Sequence, residues 1–215
     1  MYKLFLFDMD GVLLQHKSSW QYCQEAIGCD CKHFYDEFEQ DILNGKDLTG
    51  LVLKKMMRYG FTQKKLQELV MKAPQMNGVG KVLEAVQVHG GSAVIISGGI
   101  GAFAEELSRQ YPVTGYVCNE LHFDGKGLPQ ICEIKVGHND KGKVARAIRE
   151  TMGVSKEEIV AIGDYCNDCT MFAEAELSIA FNGDKDAKAA ATHSVESDDL
   201  ADILPIIYGY YGEPK

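Results

Sequence analysis

Hydrophobic residues follow two patterns along this chain: short unbroken apolar runs, and longer stretches in which they recur every three or four positions. The unbroken runs do not alternate with polar residues, so they predict parallel strands that are buried on both faces of a sheet. Four runs have this pattern, at Leu4–Phe7, Ala93–Ile96, Ile159–Ile162 and Leu177–Phe181. Stretches with helical spacing lie between them, and this alternation predicts an α/β fold with a doubly wound, Rossmann-like parallel sheet.

Helical spacing is clearest in the second half of the chain. The apolar residues of Asp140–Met152 lie on one helix face, and Gly153 is suited to end that helix. Other helices are predicted at Ala102–Arg109, Asp184–Ala190 and Asp198–Ile207. The segment Leu121–Glu133, with Asp124-Gly125 at its centre, predicts a β-hairpin.

Residues 15–76 differ from the rest of the chain, because their apolar positions recur at helical spacing and none of their runs is typical of a strand. We interpret this segment as a small all-helical cap domain inserted after the first strand. Residues 1–14 and 77–215 then form the Rossmann-like core. The position of the cap matters, because ligands of open α/β sheets bind outside the carboxyl ends of the strands.

The composition narrows the classes of function. A formal net charge of −9 disfavours nucleic acid as a partner, since phosphate backbones bind basic surfaces. The apolar run before Asp8 is too short for a signal peptide or a membrane span, so no membrane association is expected. Seven cysteines without an export signal indicate reduced thiols and a cytoplasmic location. None of these features predicts the oligomeric state.

Two carboxylates, Asp8 and Asp10, follow the first predicted strand. Both can face one site, because the chain leaves the regular pleat at this point. Phosphoryl transfer through a covalent aspartyl intermediate needs such a pair, with one carboxylate as nucleophile and one carboxyl group to protonate the leaving oxygen. Metal-binding loops and solvated acidic turns have the same pattern, so the pair alone does not decide between these functions.

The second predicted strand ends in Ser97-Gly98-Gly99, ahead of a helix. A hydroxyl and exposed backbone N–H groups at a helix start form a cradle for phosphate oxygens. The same glycines also fit a loose dinucleotide-binding fingerprint, Gly99-x-Gly101-x-x-Ala104. We favour the phosphate cradle, because the dinucleotide turn normally follows the first strand of its fold.

Further polar residues lie beyond the strand at Ile159–Ile162. Asp164 and Asp168 follow it four positions apart, so that one suits direct ligation of a cation and the other suits orientation of a water or a lysine. The alternative for Asp168 is an ordinary helix cap. Lys141, near the start of a predicted helix, indicates no function by itself.

Together these residues resemble the motif set of the haloacid dehalogenase phosphohydrolases, with motifs at Asp8–Val12, Ser97, Lys141 and Gly163–Asp168. Within that superfamily the chain is most similar to the phosphoserine phosphatases, which share Ser97–Gly99, Lys141-Gly142 and the Gly163–Asp168 pattern. The resemblance spans the whole chain, including the cap. It implies a phosphoric monoester hydrolase that acts on a small phosphorylated metabolite.

The resemblance also implies a mechanism that depends on Mg²⁺. Asp8 would attack phosphorus, and Asp10 would protonate the leaving alkoxide and then act as a base toward water. The metal would be held by the Asp8 carboxylate, the Asp10 backbone carbonyl and Asp164.

The remaining motif residues would bind the phosphoryl group. Ser97, the Gly98 amide and Lys141 would neutralise the transferring oxygens. Asn167 would border the phosphate. Asp168 would orient Lys141 or a metal-bound water.

The sequence departs from the phosphoserine phosphatases in the cap. Those enzymes bind the substrate ammonium with an acidic residue shortly after the first motif, where this chain has Lys17. Their carboxylate-binding arginine aligns near Met56, which is flanked by Lys54, Lys55 and Arg58. A lysine facing an ammonium would repel it, so phosphoserine is expected to be a poor substrate if Lys17 contacts the leaving group. The alternative is that Lys17 is a solvated lysine at the first helix of the cap.

Other functions are compatible with parts of the sequence. A receiver-like signalling module also combines acidic residues, a hydroxyl, a lysine and Mg²⁺, although it is shorter and has no helical insertion. A phosphotransferase or phosphomutase differs only in the group that accepts the phosphoryl. Cys166-x-x-Cys169 and Cys29-x-Cys31 have the spacing of redox or zinc sites, but no second pair completes a zinc site.

Overall fold

The strands of this protein form one sheet with helices on both faces. A computed structural model describes residues 2–40 and 44–211. Within them the strands are β1 Leu4–Phe7, β2 Ser92–Ile100, β3 Gly115–Phe123, β4 Pro129–Glu133, β5 Ile159–Gly163, β6 Leu177–Phe181 and β7 His193–Val195. Their order is β4-β3-β2-β1-β5-β6-β7, and all neighbours are parallel except β3 and β4, which form an antiparallel hairpin. The predicted α/β fold class is confirmed.

The four predicted apolar runs form the centre of this sheet, because both of its faces are covered. In β1, Phe5 and Phe7 pack into one hydrophobic cluster, whereas Leu4 and Leu6 pack into a second cluster on the opposite face. All four side chains are at most 1% exposed. An unbroken apolar run is the sequence pattern expected of a strand in this position.

The helices are α1 Ser19–Ala26, α2 Lys32–Glu39, α3 Gly45–Arg58, α4 Gln63–Lys72, α5 Val79–Val88, α6 Gly101–Gln110, α7 Lys141–Met152, α8 Cys169–Phe172, α9 Lys185–Ala190 and α10 Leu204–Tyr211. Local capping sets several of their ends. Gly153 ends α7 in the left-handed conformation, and the Asp184 side chain accepts a hydrogen bond from the Ala187 N–H at the start of α9. In the described part of the chain, no helix has both the length and the apolar composition needed to cross a bilayer.

Helices α1 to α4 all lie between β1 and β2 in the chain. The described residues between 15 and 76 contain no strand, and residues 41–43 lie outside the described part. The segment contacts the hairpin, since the Gln63 N–H donates to the Gly127 carbonyl at 2.9 Å. A division into cap and core at residues 15 and 76 stays a prediction.

Candidate active site

The carboxyl ends of β1, β2 and β5 meet at one edge of the sheet. Strand β1 lies between the other two, with Phe7 in register with Ile95 of β2 and Ile162 of β5. Asp8 after β1 and Asp164 after β5 therefore leave the sheet side by side. The sequence predicted this convergence because the strands are parallel.

A buried lysine joins the acidic groups at this edge. Lys141 is the first residue of α7, and its Nζ lies 2.9 Å from Oδ2 of Asp8 and 2.5 Å from Oδ1 of Asp168. The lysine side chain is 1% exposed. Asp168 uses its second oxygen to accept hydrogen bonds from the N–H groups of Asp164 and Tyr165, at 2.9 and 3.0 Å. The ammonium is thus fixed beside the carboxylate of Asp8.

Burial and neighbouring charges shift the pKa values of these groups in opposite directions. Burial raises the pKa of Asp8 well above its usual range; Lys141 lowers that pKa, while Asp168 and Asp164 raise it. Burial lowers the pKa of Lys141, but the carboxylates of Asp168 and Asp8 outweigh it and raise that pKa above the usual value. Lys141 therefore stays charged, and a further cation near Asp8 would favour the ionised form that a nucleophile requires.

Three carboxylates at this edge form a candidate cation site. Asp8, Asp164 and Asp168 are buried, and each offers an oxygen within 4.8 Å of the others. Buried carboxylate oxygens are the ligands that Mg²⁺ prefers. Asp168 uses both of its oxygens to hold Lys141 and two backbone N–H groups, whereas Asp8 and Asp164 each share one oxygen with a lysine, Lys141 and Lys17 respectively. Asp8 and Asp164 are therefore the better candidates for metal ligands. These residues fit a magnesium ion.

Lys17 lies against the same carboxylates. Its Nζ is 2.6 Å from Oδ2 of Asp164 and 3.2 Å from the carbonyl oxygen of Asn182. Burial raises the pKa of Asp164 to about 6, and Lys17 is the strongest influence in the opposite direction. Gly11 makes room for this contact, because at its φ of +79° a Cβ would overlap the Asp164 carboxylate and touch the Lys17 side chain. Contact between Lys17 and a substrate stays a prediction.

Ser97, Gly98 and Gly99 lie in the last part of β2, where the register with β3 is irregular. The buried Ser97 hydroxyl accepts a hydrogen bond from the Gly99 N–H at 3.1 Å. The Gly98 carbonyl accepts hydrogen bonds from the Asn119 side-chain amide at 2.8 Å and from the Trp20 indole N–H at 3.3 Å. These two donors fix the orientation of the Gly98–Gly99 peptide plane.

Two polar side chains have a buried oxygen that accepts no hydrogen bond from the described residues, namely Oδ1 of Asn167 and Oδ1 of Asp10. Leaving a buried acceptor unpaired costs about 1–3 kcal/mol, so both atoms are suited to receive a donor from a ligand or water. The other oxygen of Asp10, Oδ2, accepts from both the N–H and the hydroxyl of Ser19, each at 2.8 Å. Nε2 of His16 lies 3.2 Å from Oδ1 of Asp10 without hydrogen-bond geometry.

Comparisons with known proteins agree with this arrangement. Residues 117–203 match the family described as haloacid dehalogenase-like hydrolase. The chain is 25% identical over 207 residues to a phosphoserine phosphatase of Methanocaldococcus jannaschii, a match that covers 95% of this chain and 97% of that protein. The predicted resemblance to the haloacid dehalogenase phosphatases is confirmed. A phosphoserine phosphatase of Archaeoglobus fulgidus is 23% identical, and this chain spans 60% of its length.

Solved structures with the same fold include two phosphoserine phosphatases. A phospho-aspartyl intermediate analogue of a phosphoserine phosphatase superposes with a TM-score of 0.80 at 24% identity, covering 95% of this chain and 98% of the other. A substrate-bound phosphoserine phosphatase gives a TM-score of 0.79 at 23% identity, with 96% and 98% covered. At these identities the likeness establishes the fold.

Several residues that contact the predicted site residues lie outside the predicted set, namely His16, Ser19, Trp20 and Asn119. Asn119 holds the Gly98 carbonyl and is itself anchored, because its Oδ1 accepts from the N–H groups of Lys135 and Val136 at 2.8 and 2.9 Å. None of the four belongs to a recognisable motif. Asn119 offers a weak sequence signal for the site, because it is a polar residue that directly follows the buried Cys118 in β3.

Helix α3 contains Met56, the residue near which the carboxylate-binding arginine is predicted to align. Met56 is fully buried in the hydrophobic cluster. The Lys55 ammonium donates to the Asp30 carbonyl and lies 5.5 Å from the centre of the Phe34 ring. Lys54 and Arg58 are exposed. Met56 is therefore part of the apolar core, whereas the cations of Lys54 and Arg58 reach solvent.

All seven cysteines are free thiols. The sulfur atoms of Cys29 and Cys31 lie 3.6 Å apart in buried positions. Neither of the residue clusters that are able to hold a metal in the described part of the chain includes a cysteine. The structure thus adds no ligand set to the zinc interpretation of Cys166 and Cys169.

Proposed function

We propose that this chain is a magnesium-dependent phosphomonoesterase that hydrolyses a small phosphorylated metabolite through an aspartyl phosphate on Asp8. The observation that carries the proposal is the buried Lys141 ammonium, 2.9 Å from the Asp8 carboxylate. A phosphate anion approaching a lone carboxylate would be repelled, and a fixed ammonium beside that carboxylate offsets the repulsion. Relatives that match 95% of the chain are phosphatases, which supports this class of reaction.

In the proposed reaction a carboxylate oxygen of Asp8 bonds to phosphorus while the bond from phosphorus to the leaving oxygen breaks. Asp10 gives a proton to the departing alkoxide. It then takes a proton from water, whose oxygen attacks phosphorus and releases inorganic phosphate from Asp8. Ser97, the Gly98 amide and Lys141 bind the transferring oxygens throughout.

The proposed metal ligands are the Asp8 carboxylate, the Asp10 carbonyl and Asp164. Mg²⁺ bound there would supply positive charge toward the phosphoryl oxygens. Asp168 holds Lys141 in place, since its Oδ1 lies 2.5 Å from the lysine Nζ. Asn167 borders the phosphate and offers a buried oxygen with no hydrogen-bond partner among the described residues.

We do not propose phosphoserine as the preferred substrate, although the relatives carry that name. Position 17 is a lysine bound to Asp164, and Met56, near which the arginine is predicted to align, is buried. A zwitterionic leaving group would thus lack an acidic partner at position 17 and an arginine at position 56. We propose a phosphate ester whose leaving group carries hydroxyl or anionic groups.

A receiver-like signalling module is not favoured, because the matched relatives are phosphatases and the helical insertion has no place in such a module. A phosphotransferase or phosphomutase would use the same aspartyl phosphate with a different acceptor. We also propose a cytoplasmic location, because a reducing compartment suits seven free thiols.

The test is a screen of phosphorylated metabolites with Mg²⁺, scored by released inorganic phosphate, with p-nitrophenyl phosphate as the generic ester. We expect many turnovers per protein, loss of activity with EDTA and recovery with Mg²⁺. Stoichiometric phosphorylation without turnover would support the receiver alternative. Transfer to a sugar hydroxyl with little free phosphate would support a phosphotransferase. Efficient hydrolysis of phosphoserine would contradict the substrate proposal alone.

A further inference from the structure

Ser19 fixes the side chain of Asp10. The serine is fully buried at the start of α1, and both its N–H and its hydroxyl lie 2.8 Å from Oδ2 of Asp10. The same hydroxyl oxygen accepts a hydrogen bond from the Ile100 N–H at 3.0 Å. Because a backbone N–H only donates, the serine hydroxyl is the acceptor there and directs its own proton to Asp10.

The direction of these hydrogen bonds decides which oxygen of Asp10 holds a proton. Oδ2 already receives two donated protons, and a proton on that atom would point against one of the donors. Oδ1 accepts no hydrogen bond from the described residues, so the proton of the acid form belongs on Oδ1. His16 stacks on Tyr22 and borders Oδ1, which limits rotation of the carboxyl group.

The irregular end of β2 packs directly on this hydrogen bond. A Cβ at Gly99 would lie 2.6 Å from both Oδ2 of Asp10 and Oγ of Ser19, closer than such atoms can approach. A glycine at position 99 is therefore required by the contact between Ser19 and Asp10. Ser19 links the proposed acid to Ser97-Gly98-Gly99, the segment of β2 that is proposed to cradle the phosphate.

We propose that Ser19 is a positioning residue, whose two hydrogen bonds hold Asp10 so that Oδ1 delivers the proton to the leaving group. The inference rests on the proposed phosphatase function. Proton donation matters most when the leaving group is a strong base, because a weakly basic leaving group departs without a proton. If the role of Ser19 were purely structural, its loss would slow the hydrolysis of all esters equally. If Ser19 positions Asp10, its loss slows most the hydrolysis of esters with strongly basic leaving groups.

The experiment compares kcat/KM for phenyl phosphate and p-nitrophenyl phosphate, two esters of similar shape, since phenolate is a much stronger base than p-nitrophenolate. In Ser19→Ala, kcat/KM for phenyl phosphate should fall about tenfold more than kcat/KM for p-nitrophenyl phosphate, as expected when a hydrogen bond to a charged group is lost. Ser18→Ala is the matched control. It removes a neighbouring hydroxyl that caps α1 by accepting from the Gln21 N–H, and it should leave the ratio unchanged.

Ser19→Cys keeps nearly the same volume with a weaker donor, and it should shift the ratio in the same direction if the alanine variant does not fold. An equal loss on both esters, or no loss on either, would overturn the positioning role. An equal shift in Ser18→Ala would overturn it as well. Failure of the unmodified protein to hydrolyse either ester would instead overturn the proposed function, and this inference with it.

Discussion

The strand ends and the helical insertion differ in whether their charged side chains are buried. We call Asp8, Lys141, Asp164 and Asp168 the strand-end cluster; all four are between 0% and 5% exposed. Between residues 15 and 76, leaving aside 39, 41–43 and 46, whose side chains are not described, no aspartate, glutamate, lysine or arginine is buried. The buried positions there are apolar apart from Ser19 and Gln24.

This difference indicates different contributions to folding and to chemistry. Burying charges costs several kcal/mol per ion, and their mutual attraction often does no more than offset that cost. Burying apolar side chains stabilises the fold by about 1.5–3 kcal/mol for each large residue. Substitutions in the strand-end cluster should therefore change activity more than stability, and substitutions in the core of the insertion should do the reverse.

The largest effect is expected for Asp8→Asn. The amide keeps the shape of the side chain but removes the attacking charge, so kcat for any ester should fall by at least about 10³-fold. Thermal unfolding monitored by circular dichroism should still give a cooperative transition. Near-normal turnover in the folded variant would contradict the proposed mechanism. It would also contradict the expectation that the strand-end cluster determines activity.

The core of the insertion is tested by Met56→Ala. Met56 is fully buried, and truncating such a side chain lowers the free energy of unfolding by about 2–5 kcal/mol. Urea denaturation measures this change. At low temperature, where the variant stays folded, kcat/KM for p-nitrophenyl phosphate should change little. A loss of activity comparable with that of Asp8→Asn would contradict the separation between the two regions.

Metal affinity gives the next effect. Asp164→Ala removes a buried carboxylate of the candidate cation site, and Mg²⁺ affinity measured by calorimetry should fall about 100-fold. Asp186→Ala, which removes an exposed carboxylate on α9, is the matched control and should leave the affinity unchanged. Equal affinities in the two variants would remove Asp164 from the ligand set.

The dependence of metal binding on pH follows from the same residue. Burial raises the pKa of Asp164 to about 6, so this carboxyl takes up a proton at a higher pH than an ordinary aspartate. A protonated carboxyl does not ligate Mg²⁺, and the apparent affinity should therefore fall as pH drops below 6, by about tenfold per unit if one proton competes. Calorimetric titrations at pH 7, 6 and 5 measure the trend. A constant affinity over this range would contradict the assignment.

The sequence predicts the strand-end cluster well for a physical reason. Parallel strands end at one edge, so polar residues that follow separate apolar runs are brought together, as Asp8 and Asp164 are. The β1 strand has the predicted bounds because both of its faces are buried. By contrast, β7 spans only His193–Val195 and has no apolar run to mark it.

Contacts between distant segments escape sequence reasoning. Ser19 contacts Ile100 and Trp20 contacts Gly98, across 81 and 78 positions of the chain. Trp20 is the single tryptophan of the chain, but no spacing rule connects Ser19 or Trp20 with its distant partner. The contact partner of Lys17 could not be predicted either, because Asp164 lies 147 positions away and only the fold brings the two together.

Lys17 does not fit the division between the two regions, because it lies in the helical insertion yet contacts Asp164 of the strand-end cluster. Its ammonium, 2.6 Å from Asp164, is an internal cation that competes with Mg²⁺ for that carboxylate. Lys17→Met should thus tighten Mg²⁺ binding. The side chain is 58% exposed, so solvent screening limits the gain to about twofold to fivefold. Lys3→Met is the matched control, since Lys3 is 60% exposed and pairs with Glu158 at the same 2.6 Å away from the cluster. Calorimetry on both variants decides the matter: weaker Mg²⁺ binding in Lys17→Met would mean that the lysine supports the metal site rather than competing with the ion.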